Sequence, residues 1–566
     1  MTTLVAPSER VRSAGQRHQQ VALAHARLMM LMLMFMAGIS IICGRLLWLG
    51  VFTEDSALAA SATTLVPPRG AITDRQGVVL AQTFDAWSIG VHPGKLIGDR
   101  DQLAARLAEL MPERSEAEYR RILHSDVNFT YLKRRALPEL VQAVNALGEP
   151  GMAYAREPER LYPQTTLAAH ILGYTDFDGR GVAGMERVLE ERLTDPAIRA
   201  QPVALSIDAR AQAAMESELY NALTAYNAEA ATGIVLDVDT GEIVTMASMP
   251  VFNPNKPGQA DPQSLRNSAT QSVYELGSTF KPITMATAID TGVVTSMSRR
   301  FDATAPLKVG RFTIKDDHAQ KRYLNIPETL IHSSNIATAR IADEIGRERT
   351  EAMFRKLGFD TAPDIELKEK GRPLWPKFWA RTTTMTVAYG HGIAVTPLQL
   401  ANAYATLVNG GIWRPTTLMK VAPGKAATGR RVLKQSTSDR LRQLLRLIVL
   451  DGTGRKAEAP GFRVGGKTGT AEKPSDGGYS KSVNVSTFAA VFPMDAPRYV
   501  VLVMMDSPKR VEANSFQTTA AYTAAPVVSR FIARAGPMLG VIPDAGRDID
   551  ESELLPLLWK PKGERE

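Results

Sequence analysis

The chain has 566 residues and a formal net charge of +8, with 44% hydrophobic and 22% charged residues. This is the composition of a folded globular protein, and the length leaves room for two or more domains. Because the basic residues form no block, the charge gives no reason to expect nucleic acid as a partner, and the eight scattered histidines show no spacing typical of a metal site.

An apolar segment near the N-terminus predicts a transmembrane helix over residues 28–52. Apart from Arg45, this run contains no charged residue, and it is long enough to cross a hydrocarbon core of ~30 Å. Four arginines precede it and two acidic residues follow it, so the positive-inside rule predicts a cytoplasmic tail over residues 1–27 and an exported remainder. A cleaved signal peptide is the alternative, with Ala57-Leu58-Ala59 as the processing site. The apolar run is longer than a typical signal sequence, so we expect a retained single-pass anchor.

The residues after the span predict a first exported domain that ends near residue 200. Residues 53–64 are small and polar, which is typical of a linker. Two short strands around a polar turn are expected over residues 67–81, and apolar residues at helical spacing run through residues 96–147. Residues 160–186 are rich in glycine and aromatic residues, and we expect them to be irregular.

The next part of the chain predicts helices packed on an antiparallel sheet. A helix is expected over Gln212–Tyr226, followed by a hairpin over residues 233–246. Apolar runs at residues 486–492 and 499–505 are separated by a proline-containing turn and predict a second hairpin.

From about Gly546 the chain is charged and contains prolines. This composition predicts a loose C-terminal tail over residues 546–566.

Three short motifs contain the residue types of a serine nucleophile activated by lysine. They are Ser278-Thr279-Phe280-Lys281, Ser333-Ser334-Asn335 and Lys467-Thr468-Gly469-Thr470. Each alone is weak, because S-x-x-K arises by chance, S-S-N is more often a turn or a helix cap, and K-T-G-T is more often a loop. The motifs lie 55 and 134 residues apart, so only a fold can bring them together. Their presence in this order indicates an acyl-transfer enzyme.

The first motif contains a nucleophile and a base. A serine hydroxyl needs a base within hydrogen-bond reach. Ser278 and Lys281 share a face if a helix begins at Ser278, and Pro282 suits the first turn of such a helix. Lys281 accepts a proton only when it is neutral, and burial or a nearby cation such as Lys467 would lower its pKa.

The other two motifs supply groups that suit a peptide substrate. Ser333 can pass a proton towards a leaving group, and Asn335 can both donate to and accept from a peptide amide. Lys467, Thr468 and Thr470 combine a cation with hydroxyl groups, which suits a terminal carboxylate.

Two other chemistries fit the sequence less well. Residues 461–468 match the P-loop pattern, but a P-loop follows a buried strand and opens a helix. The charged residues before this stretch and Pro474 after it argue against both elements. No G-x-S-x-G sequence is present, so a Ser-His-Asp hydrolase is not expected.

With these motifs the chain resembles the class B penicillin-binding proteins, the monofunctional peptidoglycan D,D-transpeptidases. The resemblance runs from about Val66 to Pro508 and extends beyond the catalytic motifs. The further matching segments are Arg69-Gly70 to Gly77, Arg160-Leu161-Tyr162-Pro163, Ala169-His170-Ile171-Leu172-Gly173, Gly181-Val182-Ala183-Gly184-Met185-Glu186, Thr396-Pro397-Leu398-Gln399-Leu400 and Asp451-Gly452-Thr453-Gly454. Two departures are Leu276, where most relatives have proline, and the short stretch Leu193–Gln201.

The resemblance implies an α+β fold with an N-terminal transmembrane helix. It also implies an elongated pedestal (dimerisation-type) domain over residues 60–200 and a penicilloyl-transferase, serine β-lactamase-like domain over residues 203–545 with a central antiparallel sheet packed by helices. It implies that Ser278 is the acylated serine, that Lys281 is its base and that Ser333 relays the proton. It also implies that Asn335 clamps the substrate and that its carboxylate binds to Lys467, Thr468, Gly469 and Thr470. The backbone amides of Ser278 and Thr470 would form the oxyanion hole.

The resemblance further implies cross-linking of stem pentapeptides that end in D-Ala-D-Ala, with β-lactams as covalent inhibitors and no metal or organic cofactor. The second motif is of the division type, since elongation-type members usually carry cysteine at its middle position. Implied partners are the inner membrane, a polytopic glycan-strand polymerase and other division proteins.

Three alternatives stay open at this point. They are an elongation-type transpeptidase, a carboxypeptidase or β-lactamase-like hydrolase that uses the same acyl-enzyme, and a β-lactam sensor or idle scaffold. The hydrolase is disfavoured because no E-x-x-L-N stretch lies between the second and third motifs. The sensor is disfavoured because the residues before the span are too few for an output domain, and the scaffold because no motif residue is missing.

Overall fold

The computed structural model describes residues 9–52, 69–475 and 478–559. The chain divides into two units, Met1–Pro67 and Pro68–Glu566. The predicted linker at residues 53–64, the first eight residues of the predicted N-terminal tail and the last seven residues of the chain lie outside the described residues.

The described part of the first unit is one helix, α1 (Glu9–Phe52). Its residues His25–Arg45 have a mean hydropathy of 2.1, and none of this stretch is buried. At the helical rise per residue the stretch is ~30 Å long. Its length and composition therefore permit a membrane crossing, as the sequence predicts.

The second unit begins with a five-stranded sheet, the sheet of the pedestal domain. Its strands are β1 (Ile72–Thr73), β2 (Val79–Val91), β3 (Thr130–Ala136), β4 (Met152–Leu161) and β5 (Val203–Ala204). The long strand β2 pairs antiparallel with β1, β3 and β4, and β1 pairs parallel with β5. The predicted pair of short strands after the span is confirmed as β1 and the start of β2.

Short helices accompany this sheet. They are α2 (Arg100–Leu110), α3 (Glu116–Leu123), α4 (Pro138–Asn145), α5 (Ala169–Leu172), α6 (Gly184–Val188) and α7 (Glu190–Thr194). The region predicted as helical, residues 96–147, contains α2, α3 and α4 but also β3, which the prediction missed. Strand β3 lies at the edge of the sheet, and its run Lys133-Arg134-Arg135 gives it little apolar alternation.

A buried ion cluster joins three of the four matching segments in the pedestal region, those that contain Arg69, Arg160 and Glu186. The Glu186 carboxylate accepts hydrogen bonds from Arg69 Nε at 3.0 Å and from Arg160 Nε at 2.7 Å. Arg160 also donates to the carbonyl oxygen of Gly70 at 2.8 Å. All three charged side chains are buried, so the cluster supplies the charge pairing that such groups need away from water.

The catalytic part of the chain is built on a second five-stranded sheet. The strands of this part are β6 (Ala230–Asp237), β7 (Ile243–Met249), β8 (Phe301–Asp302), β9 (Leu307–Val309), β10 (Phe312–Ile314), β11 (Tyr323–Leu324), β12 (Ile412–Trp413), β13 (Arg430–Arg431), β14 (Gly465–Ser475), β15 (Gly478–Phe492) and β16 (Tyr499–Asp506). The main sheet has the order β14-β15-β16-β6-β7 and is antiparallel throughout. Both predicted hairpins are confirmed, as β6–β7 and β15–β16.

Helices cover both faces of this sheet. They are α8 (Ala209–Ala225), α9 (Lys281–Asp290), α10 (Ile326–Ile331), α11 (Asn335–Ile345), α12 (Arg347–Lys356), α13 (Arg381–Val387), α14 (Pro397–Val408), α15 (Gln435–Asp451) and α16 (Ala524–Ala535). The helix predicted over Gln212–Tyr226 is confirmed as α8. On the central strand β16, Val501 and Val503 pack in one apolar core with α8 and α16, whereas Val500 and Leu502 pack in the other with α9, α14 and α15. Successive side chains of β16 therefore enter two different cores, and every residue of this strand is buried.

The segment from Gly546 to Trp559 is packed, which corrects the predicted loose tail. Asp548 pairs with Arg446 of α15 at 2.6 Å, and the Leu554 side chain is fully buried. The acidic residues and prolines suggested a solvated tail, but they alternate with leucines that pack against the core. Composition alone does not reveal this packing, because the partner residues lie about a hundred positions away.

Candidate active site

The first motif forms the turn that leads into α9. Gly277–Phe280 is a single 3₁₀ turn, and α9 starts at Lys281, with Pro282 in its first turn as predicted. A hydrogen bond from the core stabilises this turn: the buried Tyr404 hydroxyl donates to the carbonyl oxygen of Thr279 at 2.8 Å. Ser278 itself is partly exposed, which is compatible with its predicted role as a nucleophile.

The third motif lies on β14, directly against this serine turn. Gly277 has a φ of +55°, and a Cβ atom there would approach the Thr470 carbonyl oxygen to 2.7 Å. A Cβ on Gly469 would come within 2.4 Å of the Leu276 carbonyl oxygen. These two glycines therefore allow the strand and the turn to touch backbone to backbone, which places the Thr470 peptide beside Ser278.

The second motif forms a turn at the start of α11. Ser333 has a φ of +56°, a left-handed conformation that is uncommon for serine. Ser334 is the N-cap of α11, and its hydroxyl accepts from Ala337 N at 3.0 Å. The same hydroxyl donates to the Asp316 carboxylate at 2.8 Å. The motif thus caps α11 through Ser334 and holds Ser333 in the turn that precedes this helix.

Loop residues directly after β10 support this turn. Asp316 accepts a second hydrogen bond, from Ile336 N at 2.9 Å, and the Asn335 amide group donates to the Lys315 carbonyl oxygen at 3.0 Å. The role of Asp316 could not be predicted from a local pattern, because its partners lie about 20 residues later in the chain.

The Ser333 hydroxyl joins the three motifs. It accepts a hydrogen bond from Lys281 Nζ at 3.0 Å and another from Lys467 Nζ at 3.0 Å. Lys281 also donates to the Ser333 carbonyl oxygen. A hydroxyl that accepts twice still has its own proton to donate, so Ser333 is arranged to relay protons. The hydrogen bonds from Lys281 in this structure go to Ser333 rather than to Ser278.

Lys467 is also held within its own motif. Its ammonium group donates to the carbonyl oxygen of Thr468 at 3.0 Å and to the Thr468 hydroxyl at 3.2 Å. That hydroxyl lies 2.8 Å from the hydroxyl of Thr453. Thr470 accepts at its hydroxyl from Ala520 N at 3.1 Å, which leaves the Thr470 proton available to a ligand.

Both lysine side chains are fully buried, and this lowers the pKa of each. Burial lowers the pKa of Lys281 to about 7, against the opposing effect of the Asp316 and Asp317 carboxylates. Burial and the neighbouring Lys281 ammonium group lower the pKa of Lys467 well below its usual value, with Asp317 opposing. Two buried ammonium groups that donate to one hydroxyl repel each other, so the pair favours having one neutral amine at neutral pH.

The P-loop interpretation finds no support in the fold. Residues 465–468 of the matching stretch are the start of β14, and that strand continues to Ser475. A P-loop would instead open a helix at this point.

Comparison with known proteins shows the family to which the chain belongs. A model of the penicillin binding protein transpeptidase domain matches residues 231–532, and a model of the penicillin-binding protein dimerisation domain matches residues 64–194. A protein named probable peptidoglycan D,D-transpeptidase FtsI from Caulobacter vibrioides is 39% identical over 87% of this chain and 85% of its own length. Peptidoglycan D,D-transpeptidase FtsI from Escherichia coli K12 is 29% identical over 91% of this chain and 92% of its own length.

Solved structures show the same fold. The crystal structure of penicillin binding protein 3 from Mycobacterium tuberculosis, complexed with aztreonam, has a TM-score of 0.66 at 25% identity and covers 86% of this chain and 99% of its own. The predicted fold class is confirmed by this likeness and by the two domain matches. The chain belongs to the penicillin-binding proteins that carry a transpeptidase domain.

Proposed function

We propose that this protein is a division-type peptidoglycan D,D-transpeptidase that acts through an acyl-enzyme on Ser278. The observation that carries the proposal is the Ser333 hydroxyl, which accepts from Lys281 and Lys467 at 3.0 Å each and so joins three motifs that are far apart in sequence. The relatives named FtsI, which align over most of the chain, support the division type.

The first step is acylation. Ser278 Oγ attacks the carbonyl carbon between the last two D-alanines of a stem pentapeptide, and the neutral Lys281 amine takes the hydroxyl proton. The backbone amides of Ser278 and Thr470 stabilise the oxyanion, a role supported by the close packing of β14 against the serine turn. The proton passes from Lys281 through Ser333 to the departing amine, and free D-alanine leaves.

The second step transfers the acyl group. The amine of a neighbouring stem attacks the Ser278 ester, and its proton returns through the Ser333–Lys281 pair to Ser278 Oγ as the ester bond breaks. The product is an amide cross-link. The step uses the same groups in reverse, so no metal or organic cofactor is required.

Lys467 holds the substrate in this scheme. Its ammonium group, with the hydroxyls of Thr468 and Thr470, binds the terminal carboxylate, while Asn335 holds the peptide amide. A bound carboxylate favours the charged form of Lys467, and a charged Lys467 favours a neutral Lys281. Substrate docking would therefore prepare the base. β-Lactams carry a carboxylate beside a reactive amide and would use the same site.

The cellular setting is also part of the proposal. Helix α1 anchors the protein in the inner membrane, with the N-terminus in the cytoplasm and the catalytic domain in the periplasm. Its partners are a polytopic glycan-strand polymerase and other division proteins. A reporter active only outside the cytoplasm should work when fused after Lys95 and fail when fused after Gln20; the reverse pattern contradicts this orientation.

The acyl-enzyme is tested by covalent labelling with a fluorescent penicillin. Wild type should label and Ser278→Ala should not, whereas Lys281→Ala should label more slowly by about the 10²–10⁴ typical of general-base loss. Ser296→Ala, at an exposed serine of the same domain, is the matched control and should label as wild type. Equal labelling of Ser278→Ala would overturn the mechanism.

The pH dependence of acylation tests the assigned base. Only the neutral Lys281 amine accepts the proton, so the rate should rise with pH through a midpoint of about 7, the pKa to which burial lowers this lysine. The Asp317 carboxylate favours the charged form, so Asp317→Asn should move the midpoint to lower pH. Glu348→Gln, an exposed change on α12, should leave the midpoint in place. A midpoint that rises in Asp317→Asn contradicts the assignment.

The division role is tested by depletion. Ser278→Ala removes one oxygen atom and creates little cavity, so fold and partner surfaces should survive. Cells depleted of wild type and supplied with this variant should place it at midcell yet form filaments. Rounded cells would indicate sidewall elongation instead.

A further inference from the structure

Residues 548–559, the last part of the chain that the structure describes, form a segment that we call the strap. The strap runs along α15, where Asp548 pairs with Arg446 at 2.6 Å and Glu553 pairs with Arg440 at 2.9 Å. Between them, Gln443 donates to the carbonyl oxygen of Asp550 at 2.7 Å. The strap is thus fixed along its first half, well away from the catalytic serine turn in sequence.

Its second half reaches α10, the short helix that leads into the second motif. The Asn325 side chain donates to the carbonyl oxygen of Leu557 at 2.6 Å. The backbone N–H of Trp559 donates to the Glu328 carboxylate at 3.0 Å. The Arg322 guanidinium lies over the Trp559 ring at 5.0 Å from its centroid, a cation–π contact.

The same residues connect directly to the turn at Ser333. Arg322 donates to Glu328 at 2.8 Å, and another of its nitrogens lies 3.3 Å from His332 Nε2. His332 N bonds to the Glu328 carbonyl oxygen at 3.1 Å, and Ser333 N bonds to the Leu330 carbonyl oxygen at 3.1 Å. An unbroken set of contacts therefore runs from Trp559 through α10 to Ser333.

This turn needs outside support for two reasons. Helix α10 has six residues, which is too short to be stable without tertiary contacts. Ser333 adopts a left-handed conformation, which persists in serine only when the surrounding structure enforces it. The buried Glu328 carboxylate, which meets Asn325 N at 3.1 Å as well as Arg322 and Trp559 N, is the point at which the strap supplies that support.

We propose that the C-terminal strap positions Ser333, so that Leu557 and Trp559 set the rate of the proton relay from outside the active site. The proposal rests on the proposed role of Ser333 in acylation. Because Trp559 touches no catalytic side chain in these contacts, it acts as a positioning residue. Removing Trp559 should slow the acylation of Ser278 without weakening the non-covalent binding of the β-lactam.

Two truncations of the full-length protein in detergent test this directly. A chain that ends at Trp559 keeps every strap contact and should be acylated by penicillin as wild type. A chain that ends at Leu554 keeps the pairs of Asp548 and Glu553 but loses the contacts on α10. Its limiting acylation rate constant should fall by about 10- to 100-fold, the loss expected from a small displacement of a catalytic group, with the docking constant changed by less than about 2-fold.

If the chain that ends at Leu554 does not fold, point variants of the full-length protein test the same proposal. Trp559→Ala should lower the limiting rate constant by about 10-fold, and Trp559→Phe, which keeps a ring for Arg322, should restore most of it. Glu553→Gln alters the strap where it meets α15 and is the matched control with wild-type kinetics expected. Thermal unfolding of each variant checks that the fold is intact.

Three results would overturn the proposal. They are wild-type acylation by a folded chain that ends at Leu554, an equal loss in Trp559→Ala and Glu553→Gln, and a loss that appears in docking rather than in the limiting rate. Failure of the underlying mechanism is distinguishable, because it would show as labelling of Ser278→Ala rather than as any effect of the strap.

Discussion

Two buried lysines that donate to one serine hydroxyl are the interaction on which the rest of the catalytic domain depends. Moving an ammonium group from water into a protein interior costs roughly several kcal/mol of desolvation free energy. Burial therefore lowers the pKa of Lys281 and Lys467, which makes a neutral amine easier to form at this site. The burial that the fold imposes on these lysines therefore also favours the neutral amine that a general base needs.

The surrounding fold serves to hold three separate backbone segments around that hydroxyl. Lys281 comes from the start of α9, Ser333 from the turn before α11, and Lys467 from β14. The sheet and its two apolar cores fix β14, and Gly277 and Gly469 allow it to approach the serine turn closely. The strained Ser333 turn is fixed by Asp316 on one side and by α10 on the other.

Much of this organisation could be predicted from sequence. Apolar runs separated by turn residues predicted both hairpins of the main sheet, and the shared chemistry of the three motifs predicted that Lys281, Ser333 and Lys467 lie together. Sequence patterns act locally, however. The edge strand β3 was missed because its basic residues hide the alternation, and the tail after Gly546 was predicted to be loose because its partners on α15 are remote in sequence.

The same limit applies inside the site. Asp316 and Thr453 contact the second and third motifs, but neither contact could be read from spacing, since each depends on how two segments fold together. The Lys281–Ser333 hydrogen bond is likewise a tertiary contact, whereas the residue pattern pairs Lys281 with Ser278 and makes Lys467 a nearby cation. The sequence motifs therefore indicate which residues can take part in the chemistry, but their contacts depend on the tertiary fold.

In the proposed mechanism, one site formed by the three motifs performs the acyl transfer. A crystal structure of the protein after reaction with a penicillin tests it most directly. The account predicts continuous density from Ser278 Oγ to the opened ring, the carbonyl oxygen between the amides of Ser278 and Thr470, and the carboxylate on Lys467, Thr468 and Thr470. Density on any other nucleophile, or a carboxylate bound away from Lys467, would contradict it.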